Sequence, residues 1–149
     1  MLAIAPDVWK CLYDEARAVS KFAFCPFSRF PVGAAVLAPD GRIFAGCNVE
    51  NASYGLTICA ERNAVFQAVA TGVRQIVAVA IYTPTIEAAP PCGACRQVLA
   101  QFGPQAFVHS ICDGDNSIQR VVAELLPEAF SFPLDINSES YLDIFRLPR

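Results

Sequence analysis

Histidine, charge and basic residues are all scarce in this sequence. Its only histidine, His109, falls in a predicted strand away from the cysteine motifs described below, so we interpret it as a core or edge residue. A histidine-based site is therefore excluded. Charged residues make up 17% of the chain, and the net charge is -3. Because nucleic-acid binding depends largely on Lys and Arg neutralising phosphates, we expect a small, roughly neutral substrate and no nucleic-acid partner.

Long apolar runs are also missing. A membrane-spanning helix needs about 20 consecutive apolar residues, and shorter runs here are interrupted by Arg62, Gln67, Arg74 and Gln75. The amino-terminal segment MLAIAPDVWK has no basic region and no small-residue cleavage site, so no signal peptide is expected. We expect a cytoplasmic protein with no membrane partner. The apolar fraction of 54% suggests that some surface is buried between subunits.

The length and the cysteine count narrow the class of protein. A chain of 149 residues predicts a single domain, 1–149, with a tail from about 131 to 149 of unassigned role. Seven cysteines fit poorly with a closed set of disulfides, and in a reducing compartment they favour metal binding or catalysis. If three cysteines bind a metal, the others are interpreted as small buried hydrophobic residues: Cys11, Cys25, Cys47 and Cys112.

Hydrophobic periodicity and turn residues predict the order α-β-β-α-β-α-β-β, typical of an α/β layered domain. Thr57 is a plausible N-cap of the second helix, and Cys92 opens the third. Both of these helices follow a strand and a loop, so their amino ends are expected to meet at one rim of the sheet. The predicted helices are about 6–23, 58–72 and 92–102, and the strands are a hairpin from 32 to 50, then 75–83, 107–112 and 118–122.

Two short motifs carry the predicted chemistry, Cys59-Ala60-Glu61 and Pro91-Cys92-Gly93-Ala94-Cys95. Structural zinc sites usually close with four protein ligands, whereas catalytic sites use three and leave a position for water. Cys92 and Cys95 are three residues apart and face the same way on a helix. Cys59 and Glu61 fall in the first turn of the predicted second helix. There, Cys59 can reach a metal ion at the helix end while Glu61 faces a ligand bound next to that ion.

Three thiolates on Zn²⁺ leave a formal charge of about -1, which requires compensation. Two helix amino termini supply partial positive charge, and Arg62 is predicted to donate a hydrogen bond to a zinc-bound thiolate without itself contacting the ion. A zinc-bound hydroxide beside the Glu61 carboxylate can attack an electron-poor carbon while the carboxylate moves the proton. Hydrolytic loss of ammonia from an amidine-like carbon fits this arrangement best.

The CAE…PCGAC pattern is the three-cysteine form of the zinc deaminase signature. Together with SRFPVGAAVLAPDGRIFAGCNVENASYGLTICAERNAVFQAV and ELLPEAF, it closely resembles the small homotetrameric cytidine deaminases. The resemblance implies a three-layer α-β-α sandwich with a mixed, mostly five-stranded sheet and one Zn²⁺ per subunit. It also implies hydrolysis of cytidine and 2′-deoxycytidine to the uridines with release of ammonia, in pyrimidine salvage.

The same resemblance implies roles for individual residues. Zinc ligands are Cys59, Cys92 and Cys95, and Glu61 is the proton shuttle. The remaining roles are substrate contacts: Asn48 and Glu50 hydrogen-bonded to the ribose, chiefly its 3′-hydroxyl, Phe30 at the pyrimidine, main-chain groups around Ala60 at the base, and Tyr54 and Phe130 completing a neighbouring subunit's site.

The pattern around Asn48 and Glu50 leaves a second interpretation open. Both residues fall at the end of a predicted strand and share a face, which suits binding of hydroxyls, but a loop-stabilising Asn and a surface Glu fit as well. The chain also departs from the family in the segment Cys25-Pro26-Phe27, where Ala or Ser, Pro and Tyr are usual. This change removes a hydroxyl near the expected pocket entrance.

Three other functions remain to be weighed against cytidine deamination. A deaminase of an antibiotic nucleoside, such as blasticidin S, shares the zinc pattern, although the Asn-x-Glu pair argues against it. A non-catalytic zinc-binding module requires a fourth protein ligand and has no use for Glu61. A thioredoxin-like Cys-x-x-Cys redox function leaves Cys59 and Glu61 unexplained.

Overall fold

The computed structural model describes residues 4–131, so nearly all of the predicted tail lies outside the described residues. The order of elements agrees with the sequence prediction, with one short helix added after the last strand. The elements are α1 (Pro6–Ser20), β1 (Gly33–Leu37), β2 (Ile43–Cys47), α2 (Ala60–Ala70), β3 (Ala78–Thr83), α3 (Gly93–Phe102), β4 (Phe107–Cys112), β5 (Ser117–Val121) and α4 (Val122–Leu125).

The five strands form one mixed sheet in the order β2-β1-β3-β4-β5, which confirms the predicted sheet. Only β3 and β4 run parallel; the other neighbouring pairs are antiparallel. β1 and β3 are buried along their whole length because helices cover both faces. No helix in residues 4–131 is both long and apolar enough to cross a membrane.

Helices cover both faces of this sheet and give the three predicted layers. On one face, Leu12 and Ala16 of α1 pack against Ala35 and Ala80 of the sheet. Helices α2 and α3 cover the opposite face and enclose the larger core. The layers approach closely at Gly33, where a Cβ atom would collide with the Ala16 carbonyl of α1.

The functional residues lie at one edge of the sheet. The carboxyl ends of β2, β3 and β4 meet at this edge, because Cys47 pairs with Gly33 and Thr83 pairs with Cys112. The loops that leave β2 and β3 lead directly into α2 and α3, so the amino ends of both helices meet there, as predicted. The third loop at this edge, residues 21–32, joins α1 to β1.

Candidate active site

Three cysteine sulfurs form a compact cluster where α2 and α3 begin. Cys59 is the N-cap of α2 and Cys92 the N-cap of α3, while Cys95 lies buried in the first turn of α3. The Sγ atoms are 3.8 Å apart between Cys59 and Cys92 and 3.5 Å apart between Cys92 and Cys95. All three lie within 4.8 Å of one another. Thr57, the predicted N-cap, instead follows the short 3₁₀ helix Tyr54–Leu56.

These separations fit a tetrahedral zinc site. A Zn–S bond of about 2.3 Å places two sulfurs of a tetrahedron about 3.8 Å apart, whereas a disulfide needs about 2.05 Å. Among the described residues, no other thiol, imidazole or carboxylate joins the three sulfurs in this cluster. The donor set within residues 4–131 therefore suits a catalytic site with one position left for water. It lacks the fourth protein ligand that a purely structural module requires.

The sulfur cluster is electrostatically primed for a cation. The pKa of Cys59 is lowered to about 5, first by a hydrogen bond from the Cys95 thiol and then by Arg62 and Cys92. The pKa of Cys95 is raised, chiefly by the same hydrogen bond to Cys59, then by burial and by the charge of Glu61. The closeness of the three sulfurs opposes ionisation of all of them at once, because adjacent thiolates repel each other. A divalent cation would stabilise all the thiolates together.

Arg62 lies beside the Cys59 sulfur, the kind of position that the sequence predicted for it. Its Nη2 donates to the Thr57 carbonyl at 3.0 Å and to Cys59 Sγ at 3.5 Å. Since the guanidinium stays charged, this contact offsets part of the negative charge of the sulfurs.

Glu61 faces the interior of a cavity next to the sulfurs. The residue is only 5% exposed, and it lines a cavity of about 370 Å³ together with Cys59 and Cys92. Burial raises the pKa of Glu61, and the neighbouring Cys59 sulfur raises it further. A carboxyl group with a raised pKa is suited to accept and then release a proton.

The cavity has the size of a small-molecule site and gathers most of the predicted substrate residues. Phe30, Asn48 and Glu50 line it together with Glu61. Sequence reasoning missed several other lining residues, because sheet register and loop packing bring them there and no motif marks them. These are Ser28, Val32, Thr57, Ile81, Thr83, Ala89 and Pro90.

Asn48 and Glu50 also hold the loop 21–32. Asn48 Nδ2 donates to the Phe30 carbonyl at 2.9 Å, and Asn48 Oδ1 accepts the Val32 amide at 2.8 Å. Glu50 accepts the Phe27 amide at 2.8 Å. Hydrogen bonds from the Ser28 side chain and from the Phe27 and Ser28 amides lower the pKa of Glu50. Both interpretations left open by the sequence therefore apply: the two residues stabilise a loop and also line the cavity.

Tyr54, Phe130, Ala60 and His109 lie outside the lining of this cavity. Tyr54 lines a neighbouring cavity of about 410 Å³, where its ring meets that of Phe27 edge to face. Phe130 is 68% exposed, with its carbonyl held by Gln97 of α3. Ala60 is buried as the first residue of α2.

The only histidine lies in β4 and contacts aromatic residues of α1. His109 is hydrogen-bonded to the Tyr13 hydroxyl and packs edge-on to Trp9. It has no part in the sulfur cluster, which agrees with the exclusion of a histidine-based site.

Comparison with known proteins agrees with this geometry. Residues 9–111 match the family model described as the cytidine and deoxycytidylate deaminase zinc-binding region. The chain belongs to the cytidine and deoxycytidylate deaminase family. The match spans both cysteine motifs, and together with the three-sulfur cluster it confirms the predicted family and the zinc cofactor.

Relatives within this deaminase family differ in how closely they match. A cytidine deaminase from Halalkalibacterium halodurans is 48% identical over 121 residues, covering 80% of this chain and 92% of that protein. The crystal structure of cytidine deaminase from Burkholderia pseudomallei superposes with a TM-score of 0.77 at 44% identity, covering 81% of this chain and 98% of that one. A blasticidin-S deaminase from Bacillus cereus is 30% identical over 104 residues, covering 64% of this chain and 74% of that protein. The comparison favours the cytidine deaminases.

Proposed function

We propose that this protein is a single-domain, zinc-dependent cytidine deaminase that converts cytidine and 2′-deoxycytidine to uridine and 2′-deoxyuridine in pyrimidine salvage. One observation carries the proposal: the buried Glu61 carboxyl group and the sulfurs of Cys59 and Cys92 face one cavity of nucleoside size. The likeness to proteins named cytidine deaminase supports the same substrate class.

In this proposal the chain's own residues bind, orient and move protons. Cys59, Cys92 and Cys95 hold the zinc ion, with Arg62 and the two helix amino termini balancing their charge. Zinc, when bound, supplies the Lewis acidity that makes water nucleophilic near neutral pH.

Glu61 transfers the protons of the reaction. It accepts a proton from the water that attacks C4 and delivers it to N3 of the pyrimidine. It then takes the second proton from the added oxygen and gives it to the amino group. The C4–N bond breaks, ammonia leaves and the C4 carbonyl of uridine remains. Water thus supplies both protons, and Glu61 ends in its starting state.

The lining of the cavity favours a nucleoside over a nucleotide. Neither the site cavity nor the neighbouring cavity beside Glu50 is lined by a described Lys or Arg. A 5′-phosphate held in either cavity would find no Lys or Arg among the described lining residues to neutralise it. Of the two substrates in the family's description, cytidine therefore suits this site better than deoxycytidylate.

Turnover of a substrate panel tests the proposal. Zinc-loaded protein is mixed with cytidine, 2′-deoxycytidine, 2′-deoxycytidine 5′-monophosphate or blasticidin S, and the loss of ultraviolet absorbance is followed. We expect the two nucleosides to be deaminated with kcat/KM at least about 100-fold above the other two compounds. An unchanged cytidine spectrum would refute the function. A higher kcat/KM for blasticidin S would instead support the antibiotic deaminase.

Exposed apolar side chains near the site support a homotetramer with shared sites. A soluble monomer rarely exposes a large contiguous apolar patch. Large apolar side chains are nevertheless exposed beside the site, in the loop 21–32, just after β2 and in the 3₁₀ helix: Phe22, Phe24, Phe27, Val49, Tyr54 and Leu56. We propose that these side chains pack against other subunits and that Tyr54 and Phe130 complete a neighbouring site.

The state of the cysteines supports a cytoplasmic location. All seven are free thiols, and three of them must remain reduced to bind zinc. A reducing compartment maintains that state.

Phe130→Ala is expected to weaken assembly and activity together. Loss of an interface aromatic of this kind typically costs at least about 1–2 kcal/mol, so we expect kcat/KM to fall about tenfold or more. Sedimentation velocity at micromolar concentration should show dissociation in the same samples. Ile86→Ala is the control, because Ile86 is a large apolar residue that is 84% exposed and is not among the side chains proposed to contact other subunits. Full activity in a dissociated Phe130→Ala monomer would contradict shared sites.

A further inference from the structure

The loop that carries Phe30 depends on side chains outside it for its shape. Within it, Arg29 adopts a positive φ of 56°, a conformation that non-glycine residues adopt at an energetic cost. The turn is closed by the Arg29 amide donating to the Cys25 carbonyl at 2.9 Å. A loop with such a residue at its turn keeps one conformation only where its surroundings hold it.

Glu50 holds the first half of this loop. Its Oε2 accepts the Phe27 amide at 2.8 Å and the Ser28 amide at 3.2 Å. The Ser28 amide also lies within hydrogen-bonding distance of Glu50 Oε1, at 3.3 Å. The Ser28 hydroxyl oxygen in turn accepts the Phe30 amide at 3.1 Å. Glu50 therefore holds the main chain of Ser28, and the Ser28 hydroxyl oxygen holds the main-chain N–H of Phe30.

Asn48 holds the second half. Its amide nitrogen donates to the Phe30 carbonyl and its amide oxygen accepts from the Val32 N–H. The main chain reinforces this contact, because the Asn48 N–H donates to the Val32 carbonyl at 3.2 Å. Both main-chain polar groups of Phe30 are thus fixed, the N–H through Ser28 and Glu50 and the carbonyl by Asn48.

The same two side chains retain free hydrogen-bonding capacity. The Asn48 amide has two donor hydrogens and two acceptor sites, and the loop uses one of each. The Glu50 carboxylate has about four lone-pair sites, of which the Phe27 and Ser28 amides use about three. Both side chains also line the cavity, so each can contact a substrate while it holds the loop.

We propose that Asn48 and Glu50 are positioning residues for Phe30, a role that is separate from any contact they make with the sugar. The proposal rests on the proposed function, because Phe30 matters only if a pyrimidine ring lies in the cavity. It has a definite consequence. Removing either side chain harms the base site as well as the sugar site, so the loss persists with a substrate that has no hydroxyl for these residues to bind.

A substrate without 2′- and 3′-hydroxyls separates the two roles. We would measure kcat/KM for cytidine and for 2′,3′-dideoxycytidine. The proteins compared are wild type, Asn48→Ala, Phe30→Ala and the variant that combines both substitutions. Enzyme in excess over substrate makes slow turnover measurable. We expect Asn48→Ala to lower kcat/KM for dideoxycytidine at least about tenfold and to add little when Phe30 is already Ala. Equal kcat/KM for dideoxycytidine in wild type and Asn48→Ala would overturn the proposal.

Amide hydrogen exchange gives a readout that needs no turnover. Asn48→Ala should speed exchange at the Val32 amide at least about tenfold, and Glu50→Ala should do so at the Phe27 and Ser28 amides. Unchanged protection in both variants would overturn the positioning role even if cytidine is deaminated. If the variants exchange faster but the wild-type protein does not deaminate cytidine, the result counts against the proposed function and leaves the positioning role standing.

Two further variants sharpen the test. Asn48→Asp retains an acceptor for the Val32 amide but loses the donor to the Phe30 carbonyl, so the Val32 amide should stay protected from exchange while dideoxycytidine turnover falls.

Asp40→Ala is the matched control, because Asp40 accepts the Arg42 amide at 3.1 Å in the β1–β2 turn at the opposite end of the hairpin. It should leave both the loop amides and the dideoxycytidine kinetics unchanged. Loss of Val32 protection in Asp40→Ala would show that the readout is non-specific and would overturn the assignment.

Discussion

Glu61→Gln is expected to retain zinc and fold while kcat for cytidine falls about 1,000-fold or more. The glutamine side chain is nearly isosteric with glutamate, so it should occupy the same buried position at the cavity wall. A neutral amide cannot accept a proton from water or deliver one to the leaving amino group. The loss therefore falls on the chemical step, and binding of the nucleoside should change much less.

Three measurements on the same preparation check this result. The ultraviolet assay gives kcat at saturating cytidine, metal analysis gives zinc per subunit, and thermal unfolding gives the melting temperature. Glu15→Gln on the exposed face of α1 makes the same chemical change away from the cavity and should leave kcat unaltered. Turnover within a few-fold of wild type in Glu61→Gln would show that another group moves the protons.

Cys95→Ser is expected to abolish zinc retention and to reduce activity below about 1% of wild type. Cys95 is fully buried and its sulfur is one of only three in the cluster. A serine hydroxyl does not ionise near neutral pH and is a poor ligand for zinc beside two thiolates. With two sulfurs remaining, the site cannot hold the ion against a chelator.

Cys112→Ser is the matched control for this variant. Cys112 is also buried, at 4% exposure, but its sulfur contacts the Ile86 and Asn116 carbonyls of neighbouring loops. A serine hydroxyl can donate to the same carbonyls, so zinc content should stay at the wild-type level. Zinc bound at full occupancy by Cys95→Ser after dialysis against a chelator would refute the assignment of Cys95 as a ligand.

Most of the secondary structure was predictable because its signals are local. Phe107–Cys112 was predicted with the bounds that the structure has, and the hairpin predicted from 32 to 50 contains the antiparallel strands Gly33–Leu37 and Ile43–Cys47. The errors lie at element ends. The third strand was predicted to begin at residue 75 but begins at Ala78. The Ile76 amide donates to the Phe102 carbonyl at the end of α3 and not to a neighbouring strand. The N-cap of α2 is Cys59, because Thr57 ends the preceding 3₁₀ helix.

The chemistry of the site was predictable to a similar extent. The two cysteine motifs, with Glu61 and Arg62 beside the first, indicated a three-sulfur zinc site with an acid/base group, and the structure brings these residues together. The roles of Tyr54 and Phe130 stay predictions, because they concern a neighbouring subunit. The loop contacts of Asn48 and Glu50 were one of two open interpretations, and only the structure showed that both apply.

The sequence by itself determined which groups are available and where each helix and strand falls, because periodicity, caps and breakers act over a few residues. Tertiary structure alone decided that sulfurs 33 residues apart in the chain lie 3.8 Å apart. It also decided that Ile81 and Thr83 wall the cavity and that Asn48 reaches the backbone of Phe30. These distances depend on strand register and helix packing, which are set by the burial of the whole core and not by any single segment.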